Sequence, residues 1–174
     1  MDILEYTEKT ADETLAYLRE SYDELHERLQ KLVTALIGGA GAVAAFAMTQ
    51  YHQPEMRLLA ITIGSLAAVW FVIAIVAMVG GRSRELSPGN GPGNVLKYYD
   101  QRLGEQVGKP DLEAREIALE TTRRAELELQ QRRLREYSSA CTRRAKILDR
   151  AYMAVSIFSP MAPLVVYITG LHFR

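Results

Sequence analysis

The side chains of this sequence that are able to do acid, base, nucleophilic or metal chemistry are few and scattered. The single cysteine, Cys141, has no partner for an intramolecular disulfide, and with the three histidines it forms none of the Cys/His spacings that bind zinc. His52 and Glu55 lie far along the chain from His26, in a different predicted segment, which argues against an acid/base pair. The phosphate-loop, serine-hydrolase and zinc-protease motifs are missing as well. We therefore expect no enzyme, no cofactor and no metal site, and Cys141 as a small packing residue.

Basic pairs recur in the charged segment 111–150 and could contact phosphate groups. These pairs are Arg123-Arg124, Arg132-Arg133 and Arg143-Arg144. The acidic residues Glu120, Glu126, Glu128 and Glu136 are interleaved with them. Because these carboxylates largely cancel the field that a phosphate backbone needs, we expect no nucleic-acid partner. We expect the basic residues next to the following apolar run to meet anionic lipid headgroups, namely Arg143, Arg144, Lys146 and Arg150.

An uninterrupted heptad seam lies near the start of the chain. Its members are Leu15, Leu18, Tyr22, Leu25, Leu29, Leu32 and Leu36, with spacings of 3, 4, 3, 4, 3 and 4. Such a seam needs a partner helix, which is either a second copy of the chain or this chain's own second charged helix. That helix has a patchier seam, with Leu127, Leu134, Cys141 and Leu148 seven residues apart. The seam of the first helix therefore predicts oligomerisation or partner binding, and intrachain packing stays an equal alternative.

Three apolar runs without Asp, Glu, Lys or Arg interrupt the charged sequence, at 32–49, 58–79 and 151–171. The first has 18 residues, which reach about 27 Å as a helix and just span the hydrocarbon of a bilayer. The seven residues YHQPEMR separate the first two runs, and Pro54 supplies a turn there. Pro160 and Pro163 are expected to bend or locally unwind the third run, whose alternative is a buried helix of a soluble domain. The sequence predicts an all-α membrane protein: three transmembrane helices with long cytoplasmic, coiled-coil-like extensions.

The distribution of basic residues predicts the topology. Lysine and arginine are clustered before the first run and throughout 82–150, whereas the first hairpin loop has only Arg57 and the tail only Arg174. The N-terminus is therefore expected in the cytoplasm and the C-terminus outside. The predicted segments are a cytoplasmic helix at 1–31, the hairpin at 32–79, a loop or hinge at 80–110, a charged cytoplasmic helix at 111–150, the third span at 151–171 and an external tail at 172–174. No signal-peptide pattern precedes the first span, which we expect to act as its own insertion signal.

Small residues form faces on the first two predicted spans. They are Ala35, Gly38, Gly39 and Ala42 on the first span, and Ala60, Gly64 and Ala68 on the second. Small faces let helix backbones approach closely, so we expect them to pack the hairpin; the alternative is a pore lined by glycine. No ionisable residue lies inside the apolar runs, although proton-coupled transporters and voltage sensors keep such groups at membrane depth.

The spans LIGGAGAVAAFAM and LLAITIGSLAAVWF, with charged helices on either side, resemble in layout the SLATT family of small bacterial membrane proteins. The third span, from Ala151, departs from the two-span pattern of that family. The resemblance implies a homo-oligomer in the bacterial inner membrane that acts as an effector in anti-phage defence. Its cytoplasmic helices would receive a signal from a protein partner, and its spans would permeabilise the bilayer. The alternatives are a non-conducting scaffold or immunity protein and a small ion channel.

Overall fold

The computed structural model describes residues 3–82 and 92–172, and all regular structure in these two ranges is helical. The helices are α1 (Ile3–Tyr51), α2 (Arg57–Gly80), α3 (Pro92–Gly104) and α4 (Asp111–His172), and a 3-10 turn at Pro54–Met56 precedes α2. The prediction of an all-α chain is confirmed. The predicted loop or hinge at 80–110 contains the helix α3, and its residues 83–91 lie outside the described residues. Residues 173–174 of the predicted tail lie outside them as well, and His172 belongs to α4.

Helix α1 contains both the charged N-terminal sequence and the first apolar run in 49 residues. It begins earlier than the seam indicates, and no proline interrupts it. The hydroxyls of Thr7, Thr10 and Thr14 donate hydrogen bonds to the carbonyl oxygens four residues earlier. The backbone of the helix therefore satisfies these hydroxyl groups. The helix ends at Tyr51, where Pro54 is three residues away and occupies the first position of the 3-10 turn.

Helix α4 unites the predicted charged helix and the predicted third span in one element of 62 residues. It begins at Asp111 directly after Pro110, as the sequence indicates, with Asp111 and Glu113 at the positive end of the helix dipole. The expected local unwinding at Pro160 and Pro163 does not occur, because both prolines lie inside the continuous helix. Proline removes a backbone donor, but flanking turns keep a helix intact in apolar surroundings.

The chain divides into two compact units, and α1 and α4 contribute to both. Unit 1 comprises Met1–Ser21 and Arg84–Ala140, so it pairs the start of α1 with α3 and the first half of α4. Unit 2 comprises Tyr22–Ser83 and Cys141–Arg174, and it holds the three apolar helix segments.

In unit 2, α2 runs antiparallel to the segments of α1 and α4. Gly39 on α1 lies against Trp70 on α2, and Gly64 on α2 lies against Ala47. Gly80, at the end of α2, lies against Ile147 of α4. The buried core of this unit contains Leu29, Val33, Leu36, Ile73, Ala74, Ala77, Leu148 and Ala151.

Within residues 3–82 and 92–172, three helical stretches are long and apolar enough to cross a membrane by length and composition. They lie in α1, in Pro54–Gly80 and in α4. Many of their large apolar side chains face outward. Met48 is 70% exposed, Val76 66% and Phe71 50%. Soluble proteins rarely expose apolar surface of this extent, so these faces suit a hydrocarbon environment.

Candidate functional site

A polar contact joins α1 and α4 in unit 1. The Arg123 guanidinium donates from Nε to Oε1 of Glu8 and from Nη2 to Oε2, each at 2.8 Å. This bidentate geometry is the strong form of an Arg–carboxylate pair. Its hydrogen bond from Arg123, more than the charge itself, holds the pKa of Glu8 below its ordinary value of 4.5, although partial burial opposes the shift.

Further contacts in unit 1 follow the same direction along both helices. They join Glu8 with Arg123, Asp12 with Gln130 and Arg19 with Tyr137. The two helix segments therefore run parallel. The Gln130 amide donates to Asp12 at 3.1 Å, and the Arg19 guanidinium lies 5.8 Å from the ring centre of Tyr137. These polar contacts fix the register of the two segments.

Small side chains of α4 are buried in unit 1. Ala114 and Ala118 are 6% and 0% exposed, and Thr122 on the next turn is 7% exposed. The Thr122 hydroxyl donates to the Ala118 carbonyl oxygen at 2.8 Å, so its burial leaves no polar group unsatisfied. The spacing of four residues marks one face of α4 on which close helix approach is possible.

Arg144 of α4 is buried in unit 2, and only 4% of its surface is exposed. Its guanidinium lies 3.7 Å from the ring centre of Tyr22, and Nη1 donates to the Tyr22 carbonyl oxygen at 3.3 Å. A planar guanidinium is suited to burial against an aromatic face because it is weakly hydrated. The sequence placed Arg144 among the residues that meet lipid headgroups, but in the structure it packs inside the protein. Arg143, Lys146 and Arg150 of that group are exposed.

All seven members of the leucine seam face the interior of this chain. Leu15, Leu29 and Leu36 are buried, and Leu18, Tyr22, Leu25 and Leu32 are half-buried. Leu29 and Leu36 belong to the core of unit 2, and Leu25 and Leu32 pack against it. These contacts support packing of the seam within the chain. Self-association through the seam stays a prediction.

The buried face of α1 continues beyond Leu36 into the first apolar run, but not in the register of the heptad seam. Ala40 and Ala47 are 4% and 7% exposed, whereas the spacing of the seam would place its next members at Gly39 and Val43. Beyond Leu36 the buried stripe is therefore shifted by one residue relative to the heptad register, and the heptad spacing alone does not predict it. Ala40 and Ala47 lie among other small residues in the sequence, so the residue types alone do not distinguish the buried positions from the exposed ones.

The small-residue faces divide between packing and exposure. Gly39, Ala60 and Gly64 are buried or half-buried, whereas Ala35, Gly38, Ala42 and Ala68 are exposed. A helix buries one stripe, and in α1 that stripe follows Leu36, Ala40 and Ala47. Residues 35, 38 and 42 lie about 100° or more away from it, so they cannot join the same contact.

Gly39 makes room for the only tryptophan of the chain. A Cβ atom at position 39 would lie 2.7 Å from Cζ3 of Trp70. On the other side, the Trp70 indole N–H donates to the Ser159 hydroxyl oxygen at 2.8 Å. Trp70 therefore links the apolar segments of α1, α2 and α4 in unit 2, and the distant Ser159 gave no signal in the sequence.

Hydroxyl groups of the apolar segments mostly bond their own helices. The Thr62 hydroxyl donates to the Leu58 carbonyl oxygen at 2.8 Å, and the Ser65 hydroxyl donates to the Thr62 carbonyl oxygen at 2.7 Å. Thr169 bonds the Val165 carbonyl oxygen at 2.8 Å. These groups need no water or ion as a partner.

The surroundings of Cys141, the single cysteine of the sequence, do not activate its thiol. Burial raises the pKa of the Cys141 thiol, and the nearby Arg144 charge opposes that rise only in part. A raised pKa keeps the thiol protonated and weakly nucleophilic. Within the two described ranges, no three His, Cys, Asp or Glu residues lie in an arrangement that could hold a metal ion.

The chain matches no protein-family model, no curated protein and no solved structure. Its resemblance to the SLATT family therefore stays a prediction from layout.

Proposed function

We propose that the chain is a multi-pass effector or sensor of the bacterial inner membrane. Its polar helices bind a cytoplasmic protein partner, and its apolar helices disturb the bilayer. The observation that carries the proposal is that α1 and α4 are each one helix with a charged section and an outward-facing apolar section. Because each helix is continuous, a displacement of its charged section is transmitted along the helix to its apolar section.

The proposed orientation places the N-terminus in the cytoplasm and the C-terminus outside. Three crossings require the first and third spans to run parallel and the second to run antiparallel. The contacts of α2 with α1 and α4 in unit 2 have this arrangement. The positive charge at 82–150 supports a cytoplasmic position for the segment between the second and third spans.

The effector role, the homo-oligomer and the link to anti-phage defence rest on the resemblance in layout. One copy of the chain leaves Ala35, Gly38 and Ala42 exposed on α1. Small exposed residues in a span are the surface on which a second copy could pack closely. An assembly made through this face would leave the leucine seam inside each subunit.

A non-conducting scaffold is the second candidate. The hydroxyl groups of Thr62, Ser65 and Thr169 bond their own helix backbones, so they offer no continuous polar path through one chain. A scaffold would use the same cytoplasmic helices to recruit or block another protein, and it would leave the membrane potential unchanged. A small ion channel would need a continuous polar path through the oligomer.

The experiment that separates these functions follows the membrane potential of bacteria that express the intact chain, with and without phage challenge. A potential-sensitive dye should report depolarisation after challenge if the chain is an effector. A steady potential, with the protein recovered in the membrane fraction, would reject the effector role and favour the scaffold.

Arg123→Glu and Arg124→Glu provide matched variants for this experiment. The first places a carboxylate against Glu8, whereas Arg124 is exposed and pairs only with Glu120 of its own helix among the described residues. We expect Arg123→Glu to abolish the response to challenge and Arg124→Glu to retain it, with equal insertion of both. Equal responses would show that the contact in unit 1 does not transmit the signal.

A further inference from the structure

An apolar groove of about 730 Å³ lies between α2 and α4 in unit 2. Ala68 and Phe158 line one end of the groove, and Gly80 and Arg150 line the other. Every other lining residue is apolar, so Arg150 is the charged group of this groove. The groove therefore combines a long apolar channel with a cation at one end.

The length of the groove matches one leaflet of a bilayer. From Ala68 to Gly80, α2 advances 12 residues, which correspond to about 18 Å of helix. Half of a hydrocarbon core about 30 Å thick is about 15 Å. Arg150 directly precedes the third apolar run, so it lies at the level where that leaflet meets its headgroups.

The charge of Arg150 is available to a ligand. Its side chain is exposed, and no carboxylate in the described ranges forms an ion pair with it, although Asp149 precedes it on α4. Exposed Lys146 lies one turn earlier on α4 and adds positive charge to the same end. Gly80 contributes no side chain there, and a Cβ at that position would already meet Ile147 at 3.6 Å.

We propose that this groove binds one anionic phospholipid of the cytoplasmic leaflet, with an acyl chain along α2 and α4 and the phosphate on Arg150. A guanidinium forms bidentate hydrogen bonds with phosphate oxygens, which gives the site a preference for an exposed anionic headgroup. The inference rests on the membrane placement in the proposed function, but not on the effector role. It assigns a specific lipid site where the sequence predicted only general contact with headgroups.

The test titrates the purified full chain in detergent with phosphatidylglycerol and with phosphatidylcholine of the same acyl chains. Native mass spectrometry counts the bound lipids. We expect one phosphatidylglycerol to bind first, and Arg150→Gln to lower its preference over phosphatidylcholine by about fivefold, the factor that equals ~1 kcal/mol per basic residue at a membrane surface. Arg150→Lys should lower the preference less than Arg150→Gln does, because it keeps the charge but loses the bidentate hydrogen bonds.

Arg143→Gln is the matched control, because Arg143 lies on the same face of α4 two turns, or about 10 Å, before Arg150 and does not line the groove. It should leave the preference unchanged. Val76→Trp fills the groove from an exposed position and keeps Arg150, so it should weaken binding of both lipids. Far-ultraviolet circular dichroism confirms that each variant is folded.

Equal loss of preference in Arg143→Gln and Arg150→Gln would overturn the site in favour of general electrostatic attraction. Unchanged lipid binding in Val76→Trp would overturn the groove. Both results come from purified protein, so they are independent of whether cells depolarise after phage challenge. The failure of the effector role and the failure of the lipid site are therefore distinguishable.

Discussion

Replacing Gly39 by alanine tests the packing of α1 against α2 with the adjacent glycine as its control. The new Cβ would lie 2.7 Å from Cζ3 of Trp70, whereas a Cβ at Gly38 would meet nothing within 4 Å. Carbon atoms in favourable contact are about 3.5 Å apart or more, so the ring or the helix must move by roughly 0.8 Å. Trp70 is not free to move without cost, because its N–H donates to Ser159 at 2.8 Å.

The expected difference follows from two terms. Alanine gains about 0.5–1 kcal/mol over glycine in a helix interior at either position, so this gain cancels when the two variants are compared. Overpacking of a core by one methyl group costs about 1–3 kcal/mol. We therefore expect Gly39→Ala to be about 1–3 kcal/mol less stable than Gly38→Ala.

The assay is thermal unfolding of both variants and the parent chain in the same detergent, followed by far-ultraviolet circular dichroism. For a chain of this size, 1 kcal/mol corresponds to about 2–4 °C in Tm, so the two variants should differ by about 2–12 °C. Trp70 is the only tryptophan, so the fluorescence of the chain reports its surroundings directly. Its emission maximum should shift in Gly39→Ala and stay constant in Gly38→Ala.

Equal Tm values and equal emission maxima in the two variants would refute the reasoning. That result would mean that position 39 does not face Trp70. The contacts of α1 with α2 in unit 2 would then need another register.

Three further predictions concern the polar contacts. Ser159→Ala removes the acceptor of the Trp70 N–H bond and should cost about 1 kcal/mol, measured as a fall in Tm with a change in tryptophan emission. Tyr22→Leu leaves the buried Arg144 guanidinium without its aromatic face and should cost about 2 kcal/mol in the same assay. Because the pKa of Glu8 is held below 4.5 in the folded chain, its contact adds stability above pH 4.5 and loses it as the pH falls through the lower folded value. Glu8→Gln should therefore cost about 1 kcal/mol at neutral pH, a value discounted for partial exposure, and flatten the acid limb of the Tm profile.

Each of these variants has a control on the same helix. Ser156→Ala removes an exposed hydroxyl one turn before Ser159, Tyr17→Leu removes an exposed ring, and Glu5→Gln neutralises an exposed carboxylate. Each control should change the free energy of unfolding by less than about 0.5 kcal/mol, measured through its Tm. A contact is rejected if its variant and its control behave alike.

The sequence by itself determined the helical class and the three apolar segments. The predicted second span at 58–79 corresponds to α2 at Arg57–Gly80, and the charged helix begins at Asp111 as expected. These features are local, because the length of an uncharged apolar run and a proline before an acidic turn act within a few residues. Placement of these segments in a membrane stays a prediction.

Only the tertiary structure decided which faces are buried and which polar groups meet. Composition treats Gly38 and Gly39 alike, and the packing of α1 on α2 alone sets them apart. The same holds for Arg143 and Arg144, of which only the second reaches Tyr22. The physical reason is that neighbouring residues on a helix point about 100° apart, so the register of the packed helices decides between them. Contacts such as Trp70 with Ser159 join residues 89 positions apart, and no local pattern encodes such a pair.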